Sequence, residues 1–96
     1  MIILKKEPEK EIELTTIEND LKSLQEAVGG YIETVTLAKD LVIICNEEGA
    51  IEDLPYNCEV LGVNFYGTIL FAGAQGDEFT DLKPKVANEV RKMVEE

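Results

Sequence analysis

The 96-residue chain contains no histidine. Without imidazole there is no Ser-His-Asp or Cys-His pair of the usual kind, and no His-Glu-x-x-His zinc site. Cysteine is scarce as well. Cys45 and Cys58 have no Cys-x-x-Cys spacing, which suits two reduced thiols packed as small apolar groups better than a disulfide or a metal site. Basic residues are the third shortage, nine Lys and Arg against 20 Asp and Glu, for a formal charge of −11. Phosphate affinity comes largely from Lys and Arg releasing counterions, so direct nucleic-acid binding is disfavoured, and anionic membranes for the same reason. No apolar run approaches the roughly 20 residues that span a bilayer, and residues 1–7 lack the basic-then-apolar order of a signal peptide. The expectation is one cytoplasmic domain, residues 1–96, with no metal and no cofactor.

What is present is enough for a thin core, at 45% hydrophobic residues. Ile2, Ile3 and Leu4 open a strand that Pro8 interrupts, and residues 11–15 alternate polar and apolar; the two pieces predict a hairpin. Ile17, Leu21, Leu24 and Val28 follow the spacing of one helical stripe, with Thr16 or Asn19 as cap. Gly29 falls one place past that stripe, where a left-handed backbone suits glycine. Gly30 has two readings: it loosens the entry to the next strand, or it admits a neighbouring backbone or ligand.

Residues 31–37 and the continuous apolar run 41–45 predict two further strands, joined by a tight turn at 38–40. The second suits a strand covered on both faces. Residues 50–64 are less regular, with 54–57 as an ordered loop. Residues 65–72 predict another strand and 73–77 a loop. A last helix, capped by Thr80 or Asp81 with Pro84 in its first turn, carries the stripe Leu82, Val86, Val90, Met93 and Val94. The expected fold is α+β in the order ββ-α-ββ-β-α, a small mixed or mainly antiparallel sheet with two helices covering at least one face.

Carboxylates come in groups: Glu7, Glu9, Glu11 and Glu13; Glu47, Glu48, Glu52 and Asp53; Asp77, Glu78 and Asp81. Neither Glu47-Glu48 nor Asp77-Glu78 matches a calcium loop. Abundant surface acids are mostly solvated, and a chain of this length leaves little room for a deep cleft, so no enzymatic activity is expected. The plain reading of the groups is solvated, solubilising faces. The sharper one places the loops on one side, where their field mimics a short piece of nucleic acid and attracts a basic protein surface. A separate candidate is a polar pocket of Gly29, Gly30, Tyr31, Asn46, Tyr56 and Asn57 at one end of the sheet. Its plain alternative has both asparagines holding turns through backbone hydrogen bonds. The glycine pair follows a helix rather than preceding one, so it offers a phosphate no helix N-terminus.

The series LQEAVGGYIETV, LVIICNEEG, LPYN, YGTILFAG and DEFTDL, spanning Leu24 to Leu82, resembles a family of small phage and plasmid proteins catalogued as domain of unknown function 3846. Relatives with this pattern have a longer stretch where this chain has only residues 58–64. The resemblance implies a mobile-element setting and supplies no catalytic residues. Joined to the charge, it gives the expectation of a non-enzymatic phage or mobile-element protein in the host cytoplasm. Its acidic patches inhibit a host defence protein, of anti-CRISPR or anti-restriction type, by occupying a basic surface. One alternative is a sponge for a nucleotide immune signal; the other is a homodimeric regulatory module.

Overall fold

Strands that are apolar without alternation belong where both faces are covered, and the two longest such runs of this chain lie side by side at the centre of one sheet. The computed structural model describes residues 1–94. In chain order the elements are β1 (Ile2–Lys6), β2 (Glu13–Thr16), α1 (Leu21–Val28), β3 (Ile32–Ala38), β4 (Leu41–Asn46), β5 (Tyr56–Val60), β6 (Val63–Tyr66), β7 (Ile69–Gln75), β8 (Glu78–Thr80) and α2 (Pro84–Val94). The main sheet runs β2-β1-β7-β4-β3, with β8 also paired to β7, and β5-β6 forms a separate hairpin. All of these pairings are antiparallel. The fold is α+β, as expected.

Side-chain alternation sorts the two central strands into two cores. On one face Val42, Ile44, Leu70 and Ala72 meet Leu24 and Val28 of α1. On the other Leu41, Ile43, Cys45, Ile69 and Phe71 meet Ala87 and Val90 of α2 together with Val60 and Phe65 of the small hairpin. Each helix therefore covers its own face.

One edge of β7 is shared end to end by β8 and β1. Gly73 pairs with Thr80, and two residues earlier on β7, Phe71 pairs with Leu4. The join is clasped by Asp81, whose Oδ1 accepts the Ile2 N–H at 2.7 Å, while the Leu82 N–H donates to the Ile2 carbonyl at 2.8 Å. Gly73 makes the approach feasible: a Cβ there would stand 2.5 Å from the Asp81 carbonyl oxygen and 2.6 Å from Thr80 Oγ1.

Several expectations are corrected. Helix α1 starts at Leu21 with Asp20 as its cap, Asp20 Oδ1 accepting from Ser23 N–H at 2.7 Å, in place of Thr16 or Asn19. Thr80 and Asp81 do not cap α2; Thr80 closes β8, and the Asp81 carboxylate is engaged with β1. The expected strand 65–72 is broken at Gly67, whose φ is +77°, so Phe65 and Tyr66 belong to β6 and β7 runs on through the expected loop to Gln75. Within residues 50–64, expected to be irregular, lies most of the β5-β6 hairpin, with Val60 opposite Val63. Its two-residue connection, Leu61-Gly62, has φ of 49° and 84°, the two positive angles of a type I′ turn.

Leucine is an unusual choice in that turn. Its side chain is 69% exposed, so no burial offsets the clash of Cβ with the following carbonyl, which costs on the order of 1 kcal/mol. Replacing it with Asn, which tolerates the left-handed region, is expected to stabilise the fold by about 1 kcal/mol. Thermal unfolding followed by circular dichroism should then show Leu61→Asn melting roughly 4–8 °C higher.

Candidate functional site

The last residue of β4 is Asn46, 6% exposed and the one buried polar side chain among the described residues. Its Nδ2 donates to the Val28 carbonyl at 3.2 Å, satisfying a carbonyl at the end of α1, and its Oδ1 accepts the Glu48 N–H at 2.7 Å. Both glycines of the pair serve this junction. Gly29, at φ +82°, is the left-handed cap, and the N–H groups of Gly29 and Gly30 both donate to the Gln25 carbonyl, at 2.8 and 3.0 Å. A Cβ on Gly30 would lie 2.9 Å from Asn46 Nδ2. Of the two readings of Gly30, close approach is the one observed, and what approaches is a side chain of the protein itself.

The chain after Asn46 turns at once. The Glu47 N–H donates to the Tyr31 carbonyl at 2.8 Å and the Glu52 N–H to the Glu48 carbonyl at 2.8 Å. That second bond closes one helical turn, in which residues four apart stand on the same side. Glu48 and Glu52 consequently line one open cleft of about 270 Å³ together with Gln25, Gly30, Tyr31 and Asn46. Tyr31, held by its backbone carbonyl, is 71% exposed. No lysine or arginine is among those lining residues. An aromatic ring, two carboxylates and two amides suit a cation and oppose a phosphate.

Three members of the expected pocket do not line the cleft: Gly29 is the helix cap beside it, and Tyr56 and Asn57 lie elsewhere. The Tyr56 hydroxyl donates to Asn64 Oδ1 at 3.1 Å, and its ring meets Tyr66 edge-on at 5.6 Å. Asn57 Nδ2 donates to the Lys6 and Gly67 carbonyls, at 2.8 and 2.7 Å, tying the small hairpin to the end of β1, while its Oδ1 has no partner. Both asparagines thus hold backbone in place, and Asn46 alone of the two also reaches the cleft.

The acidic loops do not share one side. Ile44 pairs with Leu70 and Leu41 with Gly73, so residues 47–53 leave the sheet at the start of β7. Asp77 and Glu78 sit beyond its other end, where Gln75 pairs with Glu78. In the first hairpin, lysines partly offset the acids. Lys10 lies 3.1 Å from Glu7, holding that carboxyl below its ordinary range, and Lys5 lies 3.6 Å from Glu13. Gln25 is the cleft residue that the sequence reading missed; its place in the last turn of α1, three residues before Val28, was the available signal.

Cys45 and Cys58 are free thiols. Burial, reinforced by the charge of Glu33, pushes Cys45 up from 9.0 to about 11, and burial also pushes Cys58 up. Among the described residues no group of three or more His, Cys, Asp or Glu gathers as a metal site, and no described helix is long and apolar enough to cross a membrane.

The fold and cleft define a small antiparallel α+β protein with an acidic, aromatic-walled recess. A family model matches residues 1–95, and the chain belongs to that family, Domain of unknown function (DUF3846). Searches of curated proteins and of solved structures returned no match.

Two outcomes are expected. Asn46→Ala leaves the buried Val28 carbonyl without its amide partner and removes the part-buried bond to the Glu48 N–H, a loss of about 1–3 kcal/mol measurable by urea unfolding. For Cys45, the folded thiol holds its proton above the pH at which the unfolded thiol loses it. Stability should therefore fall as pH rises from about 9 to about 11, and a Cys45→Ala variant should show a shallower decline.

Proposed function

We propose that the protein is a non-enzymatic binding protein that captures a cationic surface of another protein at the sheet end carrying Glu47, Glu48, Glu52 and Asp53. The observation behind this reading is the make-up of the cleft: an exposed tyrosine ring and two carboxylates held on one side of a turn, with no basic side chain in the lining. A guanidinium or ammonium group can lie on such a ring, for about 0.5–2 kcal/mol, while pairing with the carboxylates. The charge of −11 draws such a partner in from a distance and loses its reach as salt is added.

The phage and plasmid setting implied by the family pattern points to a host defence protein as the partner. Its basic nucleic-acid groove, of CRISPR-effector or restriction-enzyme type, is the surface to be occupied inside the host cell. This reading rests on residues 47–53; Asp77 and Glu78 lie at the far end of β7, and Asp81 is engaged with β1. The nucleotide-sponge alternative is less well supported, because a phosphate entering the cleft would meet Glu48 and Glu52 rather than a lysine or arginine.

An oligoarginine peptide serves as the probe. Fluorescence anisotropy should show binding that weakens steeply with salt. It should weaken several-fold more in Tyr31→Ala and in Glu48→Gln/Glu52→Gln than in the control Asp77→Asn/Glu78→Gln. Equal losses in the two double variants would reduce the interaction to general charge attraction and remove the cleft from the account.

A further inference from the structure

A large open recess lies away from the acidic cleft, between α2 and the β1-β2 edge of the sheet. It holds about 470 Å³. Leu4 pairs with Leu14, and Ile2 with Thr16, so these side chains share the face that α2 covers only in part. Ile2 is 41% and Leu14 56% exposed, high values for large aliphatic groups on a sheet face. Leu82, Pro84 and Ala87 complete the apolar lining, and the charged groups of the lining are Lys83 and Arg91 against Asp81 alone, whose carboxylate already accepts the Ile2 N–H. The Arg91 side chain is already positioned there, its Nη1 donating to the Ile12 carbonyl at 3.4 Å.

This region departs from the rest of the molecule in charge. Between residues 83 and 92 the sequence holds Lys83, Lys85, Arg91 and Lys92 against Glu89 alone, in a chain that is otherwise strongly acidic. An occupant that fits must offer an apolar side chain ringed by carboxylates. Such a segment exists in the protein itself. Ile51, at 83% the most exposed large hydrophobic residue described, lies in the hydrogen-bonded turns of residues 47–54, flanked by Glu47, Glu48, Glu52 and Asp53. It cannot reach the recess of its own molecule. The recess opens beside Ile2, at the start of β1, near the end of β7 where β8 joins; residues 47–53 leave β4 at the opposite end of β7, on the other side of the strand order.

We propose that the recess docks residues 47–54 of a second copy, with Ile51 entering between Leu14, Ile2 and Ala87 and the surrounding carboxylates facing Lys83 and Arg91. The contact is head-to-tail, since each copy offers a different surface at each end. Copies joined this way close into a ring or extend as a chain. A cationic partner at the acidic cleft competes with the contact, because both use the same loop.

Sedimentation velocity over a concentration series tests this, with two variants that change exposed side chains: Ile51→Glu, which spoils the loop, and Leu14→Glu, which spoils the recess. The wild type should gain mass with concentration and lose it with added salt, and each variant alone should stay monomeric. Mixed together, the two should form a one-to-one heterodimer and stop, because one intact loop and one intact recess remain. A wild type that stays monomeric throughout, or a mixture that stays monomeric while the wild type associates, overturns the proposal. Binding of oligoarginine to Leu14→Glu, which keeps the cleft, reports on the cationic-partner reading separately.

Discussion

The main sheet is assembled around one strand. β7 bonds to β4 along one edge and to β8 and β1 in succession along the other, and its buried side chains alternate between the two cores. A strand buried on both faces has nowhere to put an unpaired backbone group, so both of its edges must be filled. Two short strands filling one edge leave a seam. The Asp81 carboxylate and the Leu82 N–H close that seam on Ile2, and the absent side chain of Gly73 gives them room. The recess beside α2 opens next to this junction, so the seam also fixes where Ile2 presents its apolar surface.

At the other end of the sheet Asn46 does comparable work for the cleft. One amide satisfies the end of α1 and starts the acidic turn, so the position of Glu48 and Glu52 relative to Tyr31 follows from backbone geometry rather than from the loop's own preferences. A recess built on buried hydrogen bonds is better positioned than one built on a free loop, because reorganising it would strand buried polar groups.

Much of this was legible in the sequence, for identifiable reasons. The apolar run 41–45, the pairing of the first hairpin and the buried stripe residues Leu24, Val28 and Val90 follow from burial on one face or two, which composition and spacing report directly. Ile17 and Leu82, by contrast, lie outside the helices whose stripes they were expected to join, and Leu14 and Leu21 are exposed. Gly29 as a helix stop, and Asn46 as a turn holder, follow from side-chain chemistry at known places. The misses share a cause. Leu61 stands where Asn or Gly is the usual sign of a two-residue turn, so the small hairpin left no local mark. Asp81 looks like a helix cap from its neighbours, yet it bonds to a residue 79 positions away in the chain. The acidic groups could be counted but not placed, because their positions depend on strand register, which sequence spacing does not carry.

The seam at Ile2 also bears on how the protein is made. β1 lies between β2 and β7, and its pairing of Leu4 with Phe71 cannot form until Phe71 has left the ribosome. Until then the first hairpin is a two-stranded ribbon with an apolar face uncovered, and such ribbons are marginal in water. The two hairpins β1-β2 and β3-β4 consequently join into one sheet only once β7 has been made, and a halt in translation before it would release a piece with no strand to connect them.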